Sequence, residues 1–329
     1  MNKNVIIIGG GIVGCLSALE FKKKGFNVTI IEKSKIGHES SSAAAGILYP
    51  LMPWKYDVEL YELSLDAPYF YEELSKKLLK DFHEDIEFIR SGLMILPPYN
   101  EDEILEWSKK NQINLLKKNN SILIPSVTQI NPRKLMSSIK VLLMSKGIKI
   151  YENTEVTGIK RNENSIDEIF TSDKRKLKGD IYILSAGAWS SIIYKKLIKK
   201  IKPIRGQIIQ YPPSNIKLEN ILYHDEMYIL QRKNKTIIAG STIDDVGFST
   251  KDIDKKVFEL HKKAKKILPE LNKINIEKSW HGFRPGVDDN KPIILQDKEL
   301  DNLYIHSGHF RYGITMAPAT TKMLVRLFN

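Results

Sequence analysis

The chain has 329 residues, of which 42% are hydrophobic and 27% charged, enough to bury a sizeable core in one large or two medium domains. Its single cysteine, Cys15, excludes an internal disulfide framework and fits a reducing, cytoplasmic setting. No apolar stretch is long enough to span a bilayer, and no metal-ligand spacing such as H-E-x-x-H or C-x-x-C occurs. The net charge of +12 raises nucleic acid as a partner, but the basic residues are spread over expected helix faces such as 194–205 and 261–266. Without an RNP or zinc-finger pattern, nucleic acid is not expected to bind.

Val5-Ile6-Ile7-Ile8 is a short apolar run of β-branched residues and predicts a buried strand. It leads straight into glycines, so it is not expected to be a secretory signal. Gly9, Gly11 and Gly14 follow in the frame G-x-G-x-x-G, and residues 12–24 carry Val13, Leu16, Ala18 and Leu19 at helical spacing. Gly25 ends that helix, residues 28–31 form a second strand, and Glu32 stands at its end. Gly9 permits the tight turn, Gly11 lets a pyrophosphate approach the backbone, and Gly14 lets the helix pack close on the sheet. The helix N-terminus offers N–H groups and a partial positive charge to phosphates. Glu32 can accept hydrogen bonds from ribose hydroxyls. Strand, glycines, helix, strand and acid in this order predict a dinucleotide site.

Residues 33–45 are rich in Ser and Ala, predicting a loop and a short helix that can pass close to a flat cofactor. Residues 57–79 are helix-periodic, with Leu60, Leu63, Leu65, Tyr69, Phe70, Leu74 and Leu78 as a core stripe. A strand is expected at 92–96 and helices at 101–110 and 132–146, the latter with Asn131 as cap and Pro132 at its first position. Strands follow at 148–152, 155–160, 166–171 and 180–184, the last emptying into Ser185-Ala186-Gly187-Ala188-Trp189-Ser190. Further strands are expected at 206–211, 226–232, 236–239, 280–285, 292–294 and 303–305, with helices at 251–267 and 314–327. Cys15 reads as a packing residue, and His38, His83 and His261 as solvated positions.

Together these residues resemble the D-amino acid oxidase family of flavoproteins, and within it the glycine oxidases of thiamine biosynthesis. The stretches that carry the likeness are 9–14 with Glu32, 40–50, 185–190, 203–207, Trp280-His281-Gly282-Phe283-Arg284-Pro285 and 308–318. The resemblance implies an α/β (α+β) fold: a Rossmann-like FAD-binding domain (1–50, 132–200 and 285–329) interleaved with a sheet-rich substrate domain (51–131 and 201–284). It implies FAD as cofactor, a small amine or amino acid as substrate, hydride transfer from substrate Cα to flavin N5 giving an imine, and reoxidation by O2 giving hydrogen peroxide.

Carried over residue by residue, Gly9, Gly11, Ile12, Val13, Gly14, Glu32 and Lys33 would hold the ADP half of FAD. Ser40, Ser41, Ser42, Ala44, Ala45 and Gly46 would pass along the ribityl chain and flavin, and Val156 falls beside the adenine. Ala186 and Gly187 would line the pyrophosphate side. Gly308, His309, Phe310, Arg311, Tyr312, Gly313 and Ile314 would wrap the flavin ring, with His309 fixing its loop. Arg284, Arg311 and Tyr228 would hold the substrate carboxylate, with Tyr223 as a second pocket tyrosine. No cysteine stands near the C-terminus, so FAD is expected to be non-covalent, and the substrate domain reads as trimmed relative to glycine oxidases. Two related activities compete: FAD-dependent oxidation of carboxymethylaminomethyl-uridine in tRNA, and quinone-linked D-amino acid dehydrogenation. The oligomeric state is left open.

Overall fold

In the computed structural model, which describes residues 3–197 and 200–328, the first apolar run lies in the middle of a sheet. Strand β1 (Asn4–Ile8) pairs in parallel with β2 (Asn27–Ile31) on one side and with Ile181–Leu184 on the other. The six strands run in the order Ile293–Gln296, Leu303–Ser307, Ile181–Leu184, β1, β2, Lys149–Tyr151. Only the Ile293–Gln296 edge is antiparallel to its neighbour. Strands of a parallel sheet are covered on both faces, which is why β1 reads as a continuous apolar run. On one face Ile7 and Ile30 meet Phe21 of helix α1 (Ile12–Lys23), Leu143 of the helix Pro132–Ser145 and Leu324 of the helix Gly313–Arg326. On the other, Ile6, Ile8 and Leu184 pack against Val156 and Ile169 of a three-stranded sheet.

A second, eight-stranded sheet runs Lys278–Gly286, Lys202–Tyr211, Ile237–Gly240, Met227–Gln231, Ile221–His224, Leu93–Ile95, Ser121–Ile124, Leu116–Lys118. Side chains alternate across a strand. In Lys202–Tyr211, Ile209 and Tyr211 therefore face the helix Ile253–Ile267, while Gly206 and Ile208 face the cleft between the sheets. The segments feeding the two sheets interleave along the chain. Of the expected domain segments, Met1, Asn2, residues 198–199 and Asn329 lie outside the described residues.

Several expectations need correction. The helix expected over 57–79 is two, Val58–Glu62 and Ala67–Phe82. Pro68 has no N–H to continue a helix and favours the first turn of a new one. Leu65 is 50% and Tyr69 72% exposed, so neither belongs to the core stripe. The exposed basic helix face expected at 194–205 does not form among the described residues: a short turn at Lys195–Leu197 precedes the strand, and Arg205 is buried. His261 is half-buried, its Nδ1 2.8 Å from the Tyr211 hydroxyl, and is not a freely solvated position. Short strands at Ser121–Ile124 and Ile221–His224 are additional to those the sequence pattern predicts.

The helix Gly313–Arg326 contains Pro318, which has no N–H for the carbonyl of Ile314 four residues earlier. Tyr71, buried in the helix Ala67–Phe82, donates its hydroxyl to that carbonyl at 2.8 Å. Tyr71→Phe should leave the carbonyl unpaired and lower the unfolding free energy by about 1–3 kcal/mol, read from urea denaturation. Pro318→Ala in the same background should recover part of the loss. A Tyr71→Phe protein as stable as the parent would show the bond to be idle.

Candidate active site

A cleft of ≈ 510 Å³ opens where β1 and the strand Ile181–Leu184 end, and it extends to the face of the second sheet. Ligands of open α/β sheets gather at such carboxyl ends. One end of the cleft is lined by Glu32, Lys33, Val156, Thr157 and Gly158, the middle by Gly11, Ser41, Ala186 and Gly187, and the far end by Gly46, Tyr228, Arg284 and residues 309–314.

At the middle, α1 begins with Gly11 as its N-cap, which has no side chain to cap the first turn. The Ile12 N–H donates to Ser41 Oγ at 2.9 Å, so the serine marks where an oxygen is accepted at this helix end. Gly14 works from behind: a Cβ there would fall 2.0 Å from the Gly9 carbonyl oxygen, so the close helix–strand contact needs glycine. Glu32 accepts from the Gly10 N–H at 2.7 Å on one oxygen, and from the Ser34 N–H and hydroxyl at 2.9 and 3.2 Å on the other. A carboxylate has about four lone-pair directions and three are taken, so Glu32 retains one acceptor for a ribose hydroxyl. Lys33 Nζ lies 3.5 Å over the Trp189 ring. Buried Cys15 packs beneath, and burial pushes its thiol pKa up. A helix N-terminus, an acid at the second strand end and a long apolar trough together fit an adenine dinucleotide.

The far end is cationic. Arg284 donates from Nη1 to the Thr242 carbonyl at 3.0 Å and from Nη2 to Ser241 Oγ at 2.8 Å. Its guanidinium lies over Gly206, where a Cβ would stand 2.1 Å from Nη1. Loss of water pulls its pKa down to about 10, so it stays charged at neutral pH. Tyr228 lies beside it with its ring over Gly240; burial pushes the phenol pKa up, and Arg284 opposes that shift. Around Arg311, burial works against the charge, but Tyr312, Tyr56, Tyr223 and Glu226 outweigh it and its pKa is raised. Glu226 approaches Arg311 at 4.0 Å from the rim. Behind the wall, Arg232 donates to the carbonyls of Ala45 and Ile130 at 2.6 and 2.7 Å and clips the lining segment at Ala45 to the segment at Ile130.

Gly9, Gly11, Ile12, Val13, Glu32, Lys33, Ser40, Ser41, Ala44, Ala45, Gly46, Val156, Ala186, Gly187, His309, Phe310, Arg311, Tyr312, Gly313 and Ile314 all line the cleft, with Tyr228 and Arg284. Gly14, Ser42, Gly308 and Tyr223 are not among its lining residues. Gly308 packs under Val287 and Tyr223 is in the sheet core, one strand beyond Tyr228. The sequence pattern missed Gly206, Ser241 and Thr242 around Arg284; only the stretch 203–207 pointed that way. Among the described residues no cluster of three or more His, Cys, Asp or Glu could hold a metal ion, and no helix is long and apolar enough to cross a membrane.

Residues 4–327 match the model of the FAD dependent oxidoreductase family, DAO. The glycine oxidase of Pseudomonas aeruginosa is 29% identical over 348 residues, covering 100% of this chain and 95% of that protein. The glycine oxidase of Bacillus subtilis is 25% identical over 341 residues, covering 97% and 91%. Among solved structures, the glycine oxidase from Bacillus cereus superposes with a TM-score of 0.89 at 23% identity, covering 99% of this chain and 94% of that one.

Two buried histidines stand here, His309 in the loop that closes the far end and His306 in the strand Leu303–Ser307 before it. His309 Nε2 is 2.9 Å from Thr320 Oγ1, and His306 Nδ1 is 3.0 Å from Ser17 Oγ. Burial lowers the His309 pKa to about 3; burial, with His309 beside it, takes His306 well below the usual range. The folded state therefore refuses protons that the unfolded chain takes up near pH ~6.5. Stability should fall as pH drops below about 6.5, by up to about 1.4 kcal/mol per pH unit for each histidine. Urea titrations across that range check it. A His306→Asn, His309→Gln double variant should show a shallower slope, and an unchanged slope would contradict the assignment.

Proposed function

The chain belongs to the FAD dependent oxidoreductase family, and on that premise we propose that it oxidises glycine or another small amine that carries a carboxylate. The observation that carries this reading is Arg284, a guanidinium deep in the cleft that makes no ion pair among the described residues. Two of its N–H groups are spent on Thr242 and Ser241, and the planar fork has others to offer. A carboxylate is the group such a fork pairs with bidentately. The names of the similar proteins, glycine oxidases, point the same way.

In this reading Arg284 binds the carboxylate and Tyr228 donates its hydroxyl to the same group. Gly11 and the first turn of α1 hold the pyrophosphate, Glu32 the ribose, and residues 309–314 the flavin edge. Bound FAD supplies the hydride acceptor, with oxygen as the proposed terminal acceptor giving hydrogen peroxide. The clamp sets the substrate Cα at a fixed place, and positioning carries much of the rate. No side-chain base is assigned. Two guanidinium groups in the same pocket disfavour a third positive charge, so Arg284 and Arg311 help the substrate ammonium lose its proton and present a neutral amine. His309 is occupied with Thr320 and serves the loop.

Hydrogen peroxide should appear when the holoenzyme is given glycine or sarcosine alone. Arg284→Ala should lower kcat/KM for the amino acid by roughly 30- to 1000-fold, since a desolvated charge-assisted pair contributes about 2–4 kcal/mol. FAD content should stay the same, and Arg284→Lys should recover little because an ammonium has no fork. Turnover confined to carboxymethylaminomethyl-modified tRNA, or equal slowing of carboxylated and uncarboxylated amines, would sink the reading.

A further inference from the structure

The stretch Pro203-Ile204-Arg205-Gly206-Gln207 is one of those that carry the family likeness, yet Arg205 and Gln207 are not among the residues that line the cleft. Between the strand Ile237–Gly240 and the helix Ile253–Ile267, residues 241–252 form a strap with no helix and only one isolated bridge, Arg205 with Asp244. Apart from one turn bond, Ser249 N–H to the Val246 carbonyl at 3.2 Å, such a segment holds its shape through side-chain bonds and bonds to the neighbouring strand. We infer that Arg205 is a positioning residue for Arg284, acting through Asp244 and Thr242 to fix the strap that holds the Arg284 guanidinium. The inference rests on the proposed role of Arg284 toward a substrate carboxylate.

Arg205 is 2% exposed, and its partners are on the strap. Its Nη1 donates to the carbonyls of Ser249 and Lys251 at 2.8 and 2.7 Å, and its Nε lies 3.5 Å from Asp244 Oδ2. Its backbone exchanges both hydrogen bonds with Asp244, at 3.0 and 2.9 Å. Asp244 Oδ2 in turn accepts the Thr242 hydroxyl at 2.7 Å. That hydroxyl has one proton, so its oxygen is left to accept from the Gln207 N–H at 3.1 Å. The Thr242 N–H donates to the Gln207 carbonyl at 3.3 Å. With its N–H and hydroxyl fixed on one side, Thr242 presents its carbonyl to Arg284 Nη1 at 3.0 Å, and Ser241 Oγ takes Nη2.

Alternation along the strand divides the labour. Gly206 faces the cleft and leaves the space the Arg284 guanidinium fills, while the Arg205 side chain on the opposite face and the Gln207 backbone hold the strap. A buried guanidinium is costly unless it is paired and hydrogen-bonded, and here that cost is met by the strap itself. If Arg205 only stiffened the fold, its loss would lower stability without selecting among ligands.

The test is a titration of the oxidised holoenzyme with acetate, a carboxylate without an amine, followed by the visible flavin spectrum. Arg205→Met, Thr242→Val and Asp244→Asn are each combined with Arg284→Ala in double-mutant cycles. Each single variant should weaken acetate by about five- to tenfold, the size of one lost hydrogen bond in the cradle, with FAD content kept. Arg205→Lys should recover only part of the affinity, because an ammonium can take the place of Nη1 at the two carbonyls but has no second nitrogen to lie beside Asp244. In the Arg284→Ala background the same changes should weaken acetate no further. KM for glycine should rise more than kcat falls, and an amine without a carboxylate should be unaffected. Additive losses in the cycle, or unchanged acetate affinity in Thr242→Val and Asp244→Asn, would overturn the inference. Should Arg205→Met fail to fold, the other two variants decide it alone. A parent enzyme that binds acetate with no dependence on Arg284 would instead overturn the carboxylate clamp, a separate and recognisable result.

Discussion

A guanidinium kept in a cleft without a carboxylate has to be held by neutral acceptors, and much of the far end of this site follows from that requirement. Arg284 gives two N–H groups to Ser241 and Thr242 and keeps its charge although lost hydration pulls its pKa to about 10. The neighbouring strand must then offer no side chain, which Gly206 satisfies. The strap must be tied from behind, which falls to Arg205, Asp244 and the backbone of Gln207. Tyr228 can lie beside the cation because Gly240 leaves room for its ring.

The cofactor end rests on a different constraint. Backbone N–H groups at the start of α1 have to be reachable, so no side chain stands at Gly11 and Gly14 lets the helix sit close to β1. Gly11 and Glu32 stand at strand ends of the first sheet, while Tyr228 and Arg284 are on the second. Interleaving of the chain places the strand Lys278–Gly286 beside the short helix Ser40–Ala43: Trp280 Nε1 donates to the Ala43 carbonyl at 3.0 Å, and Ser40 Oγ to the Phe283 carbonyl. Arg232 adds a third tie from the Met227–Gln231 strand end to Ala45. A fixed distance between the cofactor trough and the proposed carboxylate clamp is what positioning of substrate Cα requires.

Local signals were readable where structure is local. The first strand, α1, β2 and Glu32 follow from an apolar run, glycines at fixed offsets and an acid, and they form as expected. The cap of the helix Pro132–Ser145 also follows: Asn131 Oδ1 accepts from the N–H groups of Arg133 and Lys134. Pro68 lies within the apolar period of 57–79, which masks the new helix that it starts. The strand Ile221–His224 ends in a histidine and is only alternately buried, so it lacks the continuous apolar run that marks the equally short Ile181–Leu184. The strap 241–252 has no period at all, so its part in holding Arg284 becomes visible only through contacts made across the sheet. Tyr223 and Tyr228 are in register on neighbouring strands, and only the nearer reaches the cleft, a difference that depends on strand order and not on residue type.

The central claim is that a carboxylate-bearing small amine delivers its electrons to FAD in this cleft. Anaerobic mixing of the purified holoenzyme with glycine, followed in a stopped-flow spectrophotometer, tests it without depending on the electron acceptor. The account predicts that the visible flavin band bleaches to the reduced form and returns when oxygen is admitted. A flavin that stays oxidised with glycine, sarcosine, proline and D-amino acids alike would contradict it.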